Sequence, residues 1–115
     1  MEDVCAVSDL TPREPKAVRV KGREIVLMLW SGEVFAVRNH CPHQGQSFVN
    51  GHVVPRLTSS ETAGELVSDD HDPLLICPWH TWGYELRSGR CTVDPSLRVR
   101  TYPVVVRDGR VLVGA

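Results

Sequence analysis

The chain has 115 residues and a formal net charge of −1 at pH 7, which is the size of one domain. This near-neutral charge gives no reason to expect a nucleic acid or a membrane surface as partner, and no run of eighteen apolar residues exists that could span a bilayer. The N-terminal residues, Met1 to Val4, carry two acidic side chains and no basic one. Because they lack the basic region of an export signal, we expect a cytoplasmic protein.

The first part of the chain predicts a β meander. A short apolar patch between Val4 and Val7 is expected to form an edge strand, and an alternating segment begins at Lys16. Two glycine turns, at Gly22 and Gly32, then separate three β-rich segments. No apolar stripe with the 3.6-residue period of a helix interrupts them, so this half is expected to consist of hairpin-connected strands.

Further along, short apolar segments again predict strands, at residues 48–49, 52–54, 74–76, 82–86, 99–107 and 110–113. Two turn signals, Asn50-Gly51 and Asp108-Gly109, separate neighbouring segments. About nine short strands with frequent Gly and Pro between them indicate a single all-β domain, residues 1–115, built as a small antiparallel sandwich or barrel.

Residues 55–72 differ from their surroundings. This tract holds five acidic residues and one basic residue, Arg56, with several Ser, Thr and Gly. We expect an acidic, solvated loop with one helical turn near residues 62–67. Because the entropy of loop closure grows only logarithmically with length, such a loop is compatible with a stable domain. A role in docking a partner is the alternative to a plain solvated loop.

Two motifs combine cysteine with histidine: Cys41-Pro42-His43 and Cys77-Pro78-Trp79-His80. Soft thiolate ligands select zinc, copper(I) or iron–sulfur clusters, and imidazole is compatible with most of these. Structural zinc sites usually pair Cys with Cys and His with His, two to four residues apart. Here each arm is mixed, so the thiolate and the imidazole of one arm could bind neighbouring ions of a two-metal cluster.

This arrangement resembles the Rieske [2Fe–2S] family, in which two His replace two Cys on one iron. The resemblance extends over nearly the whole chain, through Gly45, Trp82-Gly83-Tyr84-Glu85-Leu86, Ser88-Gly89-Arg90, Tyr102-Pro103-Val104 and Asp108-Gly109. It implies that Cys41 and Cys77 hold one iron, whereas His43 and His80 hold the other through their Nδ1 atoms. It also implies a Rieske-type fold in which two loops form a cluster-binding tip.

Several positions depart from the pattern of the high-potential members of this family. The disulfide of those members would fall on Gln46 and Trp79, and a Ser that bonds a bridging sulfide appears as Trp82. Tyr84 is left as the candidate for the other hydrogen bond to the cluster. Because losing a hydrogen bond to cluster sulfur lowers the potential, we expect about −150 mV rather than about +300 mV. The resemblance also implies that the 55–72 tract is a loop insertion between the two motifs.

The remaining cysteines and the histidine nearest the motifs are assigned no ligand role. Cys5 and Cys91 follow no disulfide pattern, so we expect buried thiols in a reducing compartment. His40 precedes Cys41 directly but has no place in the family pattern. No nucleophile–base pair or phosphate-binding loop is visible, and we therefore name no catalytic residue.

The resemblance implies a soluble one-electron carrier, similar to the ferredoxin component of bacterial ring-hydroxylating dioxygenase systems. A flavin-containing NAD(P)H reductase would reduce it, and it would pass electrons to a terminal oxygenase. The chain would then be no enzyme itself, and we expect a monomer with one [2Fe–2S] cluster. Two alternatives stay open: a small subunit or accessory domain of a larger oxidoreductase, similar to nitrite-reductase small subunits, and a redox-silent Cys₂His₂ zinc module.

Overall fold

The computed structural model describes residues 1–42, 45–59, 66–78 and 82–115. Within these ranges the secondary structure consists of β-strands and one short 3₁₀ helix, Val7–Asp9. The strands are β1 (Glu2–Ala6), β2 (Lys16–Val20), β3 (Arg23–Trp30), β4 (Glu33–Arg38), β5 (His52–Ser59), β6 (Leu66–Ile76), β7 (Gly83–Glu85), β8 (Thr101–Tyr102), β9 (Val104–Arg107) and β10 (Arg110–Val113). The prediction of an all-β fold is confirmed. Over the same ranges, no helix has the length and apolar character that crossing a bilayer requires.

The strands form three antiparallel sheets. The largest has the order β2-β3-β4-β8, the second the order β1-β10-β9, and the third the order β5-β6-β7. The chain termini meet in the second sheet, where β1 pairs with β10. The third sheet contains the strands that enter and leave the second Cys-His motif.

Three two-residue turns set the register of the hairpins β2–β3, β3–β4 and β9–β10. They are Lys21-Gly22, Ser31-Gly32 and Asp108-Gly109, with φ values of 51° and 78°, 48° and 78°, and 52° and 74°. Two successive positive φ angles define a type I′ turn, whose twist matches that of the flanking strands. Glycine adopts such an angle without a steric penalty. The predicted glycine turns at these three positions are therefore confirmed.

Strand β3 lies between two hydrophobic cores. Its successive side chains point to opposite faces, so Ile25 and Leu27 pack into one core, while Val26, Met28 and Trp30 pack into the other. Both faces of the strand are buried, which explains why its sequence reads as a continuous apolar run. The second of these cores also contains Cys41 and Cys77, so the central strand supports the motif loops directly.

The predicted strand over residues 99–107 is two strands in different sheets. β8 pairs with β4, whereas β9 pairs with β10, and Pro103 separates them. Proline has no N–H to donate to a ladder, so the pairing of β8 cannot continue through this residue. The chain passes from one sheet to the next at this point.

The predicted Asn50-Gly51 hairpin does not form. Phe48 lies outside any strand, and the Gly51 N–H donates to its carbonyl at 2.8 Å in a turn that leads into β5. A Cβ atom on Gly51 would lie 2.2 Å from the carbonyl oxygen of Ile76. Glycine is therefore required here by the close approach of β6, and not by a hairpin turn.

The expectation of an irregular loop at residues 55–72 is wrong for the described part. β5 and β6 stay paired beyond the domain core, from Arg56 opposite Asp69 to Ser59 opposite Leu66, with a register shift between Val54 and Arg56. Residues 60–65 lie outside the described ranges, and so does most of the expected helical turn at 62–67; its last two residues belong to β6. Pairing of two polar segments satisfies their backbone N–H and C=O groups, which composition alone does not reveal.

Arg56 ties this hairpin to the neighbouring strand. Its guanidinium group lies 2.5 Å from Glu85 Oε2 on β7 and 3.4 Å from Asp72 Oδ2 on β6. The Glu85 side chain is only 19% exposed, and its other oxygen accepts a hydrogen bond from Ser88 Oγ at 2.7 Å. This partly buried group of charges holds the three strands of the third sheet together.

We expect Arg56→Ala to lower the free energy of unfolding by about 1–2 kcal/mol, because the half-buried carboxylate of Glu85 loses its cation. The measurement is chemical unfolding of the purified protein. Arg110→Ala is the matched control, since Arg110 pairs with Asp3 at an exposed site where both side chains are about half accessible. Equal losses in the two variants would contradict the role assigned to Arg56.

Candidate metal centre

The first motif begins with a buried thiol at the start of a tight loop. Cys41 follows β4 by three residues and is fully buried. Its N–H donates to the Gln46 carbonyl at 2.8 Å, and its own carbonyl accepts from the Gly45 N–H at 2.6 Å. Gly45 has a φ of 71°, which explains why glycine stands here. The base of the first loop is therefore closed by backbone hydrogen bonds on both sides of Cys41.

The second motif is built in the same way. Cys77 follows the end of β6 directly and is fully buried. Its N–H donates to the Trp82 carbonyl at 2.8 Å, and β7 begins at the next residue. In both loops the cysteine N–H thus reaches the carbonyl of the residue five positions later. This shared closure was not predictable from the sequence, since the two motifs differ in length.

Tyr84 connects the two loops. It lies on β7, just after the second loop, and its hydroxyl oxygen is 3.2 Å from Sγ of Cys41 in the first. Its ring is fully buried and packs edge-on against Phe48, with centroids 5.6 Å apart and an interplanar angle of 79°. Such an edge-to-face pair is favourable beyond its apolar burial. Tyr84 therefore positions the first loop relative to the second.

Burial, the hydrogen bond with Cys41 and the nearby sulfurs of Cys41, Cys91 and Cys77 all raise the pKa of Tyr84 above its ordinary value. The hydroxyl therefore stays protonated, and a protonated hydroxyl can donate to a thiolate at Cys41. All four cysteines are buried and none of them forms a disulfide bond, as predicted for Cys5 and Cys91. The arrangement offers two soft sulfur donors in an apolar setting, one with a hydrogen bond from Tyr84.

The two predicted histidine ligands, His43 and His80, lie outside the described residues, as does Trp79. His40, which was assigned no ligand role, is exposed, and a Cβ placed on Gly45 would lie 3.4 Å from its Cε1 atom. The structure therefore brings the two predicted cysteines into one core. The assignment of His43 and His80 as ligands stays a prediction.

Asn39 is a site residue that the sequence reading did not single out. It is a buried polar side chain whose Oδ1 accepts from the Phe48 N–H at 2.7 Å and from Ser47 Oγ at 3.0 Å. Its Nδ2 donates to Glu24 Oε1 at 3.2 Å. One side chain thus fixes both ends of the first loop to β3. Its only sequence signal was its place two residues before Cys41.

We expect Asn39→Ala to lower the free energy of unfolding by about 2 kcal/mol, because the buried N–H of Phe48 loses its acceptor. Chemical unfolding of the purified variant measures this loss. Asn50→Ala, at an exposed asparagine of the turn before β5, is the control and should leave the stability nearly unchanged. An Asn39 variant as stable as the Asn50 variant would show that the loop needs no such support.

This chain is similar in sequence to known proteins of one family. The model of the Rieske [2Fe–2S] domain matches residues 1–103. The ferredoxin component of the alkene monooxygenase system of Xanthobacter autotrophicus is 31% identical over 112 residues, which are 97% of this chain and 79% of that protein.

Two solved structures are similar over almost their whole length. One, described as the small subunit of an NADH-dependent nitrite reductase from Mycobacterium tuberculosis, has a TM-score of 0.80 at 27% identity and covers 97% of this chain and 91% of its own. The other is the ferredoxin of carbazole 1,9a-dioxygenase from Nocardioides aromaticivorans, with a TM-score of 0.74 at 26% identity and coverage of 97% and 94%. The chain therefore belongs to the Rieske [2Fe–2S] domain family.

Proposed function

We propose that this protein is a one-electron carrier which accepts electrons from a flavin-containing NAD(P)H reductase and delivers them to a terminal oxygenase. The observation that carries the proposal is the pair of fully buried cysteines at the start of two equivalently closed loops. The relatives add support, because two of them are ferredoxin components of oxygenase systems. The chain carries electrons and is no enzyme by itself.

We assign four ligands to a Rieske-type [2Fe–2S] cluster: Cys41, His43, Cys77 and His80. The residues that the structure describes fit this group, since two cysteines share one apolar core and the Tyr84 hydroxyl lies within hydrogen-bond distance of one of their sulfur atoms. Bound there, the cluster supplies a one-electron redox couple. The zinc alternative predicts no such couple.

The surrounding residues control that couple. Burial of Cys41 and Cys77 excludes water from the sulfur donors, and the backbone closure of each loop fixes their direction. Donation from Tyr84 to Cys41 stabilises negative charge on sulfur, which favours the reduced state. We place the histidine ligands on the other iron, where electrons enter and leave.

A second function has its own support. The nitrite reductase small subunit is structurally similar to this chain over 97% of its length, so a permanent small subunit of a larger oxidoreductase is the alternative to a carrier. The two differ in what the protein is bound to in its own cells. Size-exclusion chromatography of a fresh extract separates them: a free protein of about 13 kDa supports the carrier, which we expect to be a cytoplasmic monomer. Elution in a large complex supports the subunit.

We expect the dithionite-reduced protein to give a rhombic EPR signal whose average g value lies clearly below that of all-cysteine [2Fe–2S] clusters, since two histidines bind one iron. Replacing any one of the four proposed ligands by alanine or serine should abolish this signal. The four ligands are Cys41, His43, Cys77 and His80. The measurement is EPR spectroscopy of anaerobically purified protein with iron and sulfide analysis.

Two variants control for the loss of a buried thiol or of a histidine elsewhere. Cys5→Ala changes a thiol in the other core, and His52→Ala changes an exposed imidazole on β5. Both should keep the full signal. A colourless wild-type protein with one zinc ion per chain would refute the electron-carrier proposal.

We expect Tyr84→Phe to lower the reduction potential by about 40 mV, which corresponds to a loss of about 1 kcal/mol of preferential stabilisation of the reduced state in a one-electron couple. The direction follows because the lost hydrogen bond stabilises the more negative state. Voltammetry of both proteins measures the shift. Tyr102→Phe, a buried tyrosine of the other core, is the control, and an equal shift there would contradict the specific role of Tyr84.

A further inference from the structure

The arginines of this chain differ in whether a carboxylate neutralises them. Arg56, Arg87 and Arg110 each form an ion pair. In the part of the chain that the structure describes, Arg38 and Arg100 have no carboxylate within ion-pair distance. Arginine keeps its charge at any accessible pH, so no carboxylate of the described residues neutralises these two charges.

Arg38 and Arg100 line one polar cleft together with Arg23 and His40. The three arginines are exposed, and among the described residues no carboxylate lies within ion-pair distance of Arg23. The carboxylate that also lines the cleft belongs to Glu24. Three guanidinium groups against one carboxylate leave the cleft with net positive charge.

The arginines are held in place by the fold. The Arg38 N–H donates to the Arg100 carbonyl at 2.8 Å, which sets the two side chains on adjacent chain segments. The Arg100 guanidinium lies over the Tyr102 ring, 5.3 Å from its centroid. A stacked guanidinium keeps its N–H groups available for bidentate contact with a carboxylate. The Arg100 guanidinium therefore presents donors that lose little conformational freedom on binding.

The cleft adjoins the first cluster loop. It extends to His40, the residue before Cys41, and includes Asn39, which anchors both ends of that loop. The whole chain has a net charge of −1, so this positive cleft does not reflect a generally basic protein. A partner bound here would contact the loop that carries one of the cluster cysteines.

We propose that this cleft is the docking site for an acidic surface of the redox partner protein; this inference rests on the electron-carrier function proposed above. Carboxylates of the partner would pair with Arg38 and Arg100, which steers the encounter and places the partner beside the first loop. Complementary charge of this kind raises association rates at low salt and loses that effect at high salt.

The test uses gold electrodes coated with a carboxylate-terminated alkanethiol monolayer as a defined acidic surface. We expect the wild-type protein to exchange electrons there about tenfold faster than an Arg38→Gln/Arg100→Gln double variant at low salt. The difference should disappear at high salt. Arg107→Gln, at an exposed arginine of β9, is the matched control and should behave as wild type.

Each outcome bears on one proposal. Equal electron-exchange rates for the wild-type protein and the double variant would overturn the docking site, and so would faster exchange on an amine-terminated monolayer. A redox signal in the same measurement would still support the electron-carrier proposal. Absence of any redox signal on every electrode, with an EPR-silent protein, would overturn the carrier itself. Inorganic phosphate can also be added at constant ionic strength. If it slows electron exchange by the wild-type protein as much as the double substitution does, the cleft binds a small anion and not a protein surface.

Discussion

The hydrogen bond between the Tyr84 hydroxyl and Cys41 Sγ joins parts of the chain that are far apart in sequence. Tyr84 leaves the second loop on β7, whereas Cys41 opens the first loop after β4. The bond forms inside a core to which both loops contribute a fully buried cysteine. A protonated hydroxyl in such an apolar core is stabilised by a thiolate acceptor, because leaving it unpaired would carry the full cost of desolvation. The relative position of the two loops thus depends on this contact and on the edge-on packing of Phe48 against the same ring.

The two loops also share a local design. In each, the buried cysteine N–H donates to the carbonyl five residues later. Asn39 adds a second layer of support to the first loop alone. Rigid support of this kind suits an electron carrier, since a fixed set of donors needs little rearrangement when the charge changes. It suits a permanent subunit equally well, which is why the assembly state in the cell separates the two functions.

Charge is distributed unevenly over a nearly neutral chain. Three acidic residues of the 55–72 tract, Asp69, Asp70 and Asp72, lie on β6, and Arg56 pairs with Asp72 and with Glu85. Three arginines, Arg23, Arg38 and Arg100, line a cleft beside the first loop. The net charge of the whole chain does not reveal such local differences.

The sequence by itself determined the fold class and the positions of three glycine turns, and it singled out two of the four cysteines. Lys21-Gly22, Ser31-Gly32 and Asp108-Gly109 specify their turns locally. Alternation and glycine spacing are properties of neighbouring residues, so they can be read without a structure. Cys41 and Cys77 were likewise recognisable from the residue types beside them.

The tertiary structure decided what depends on contacts between distant segments. Asn50-Gly51 has the composition of a hairpin turn, yet Gly51 is required by the approach of Ile76. The acidic tract looked like a loop because its composition is polar, whereas pairing between β5 and β6 satisfies its backbone. The Asn39 hydrogen bonds, the Tyr84–Cys41 bond and the arginine cleft each combine residues from distant segments of the chain. Such contacts follow from the packing of three sheets, and no local pattern encodes them.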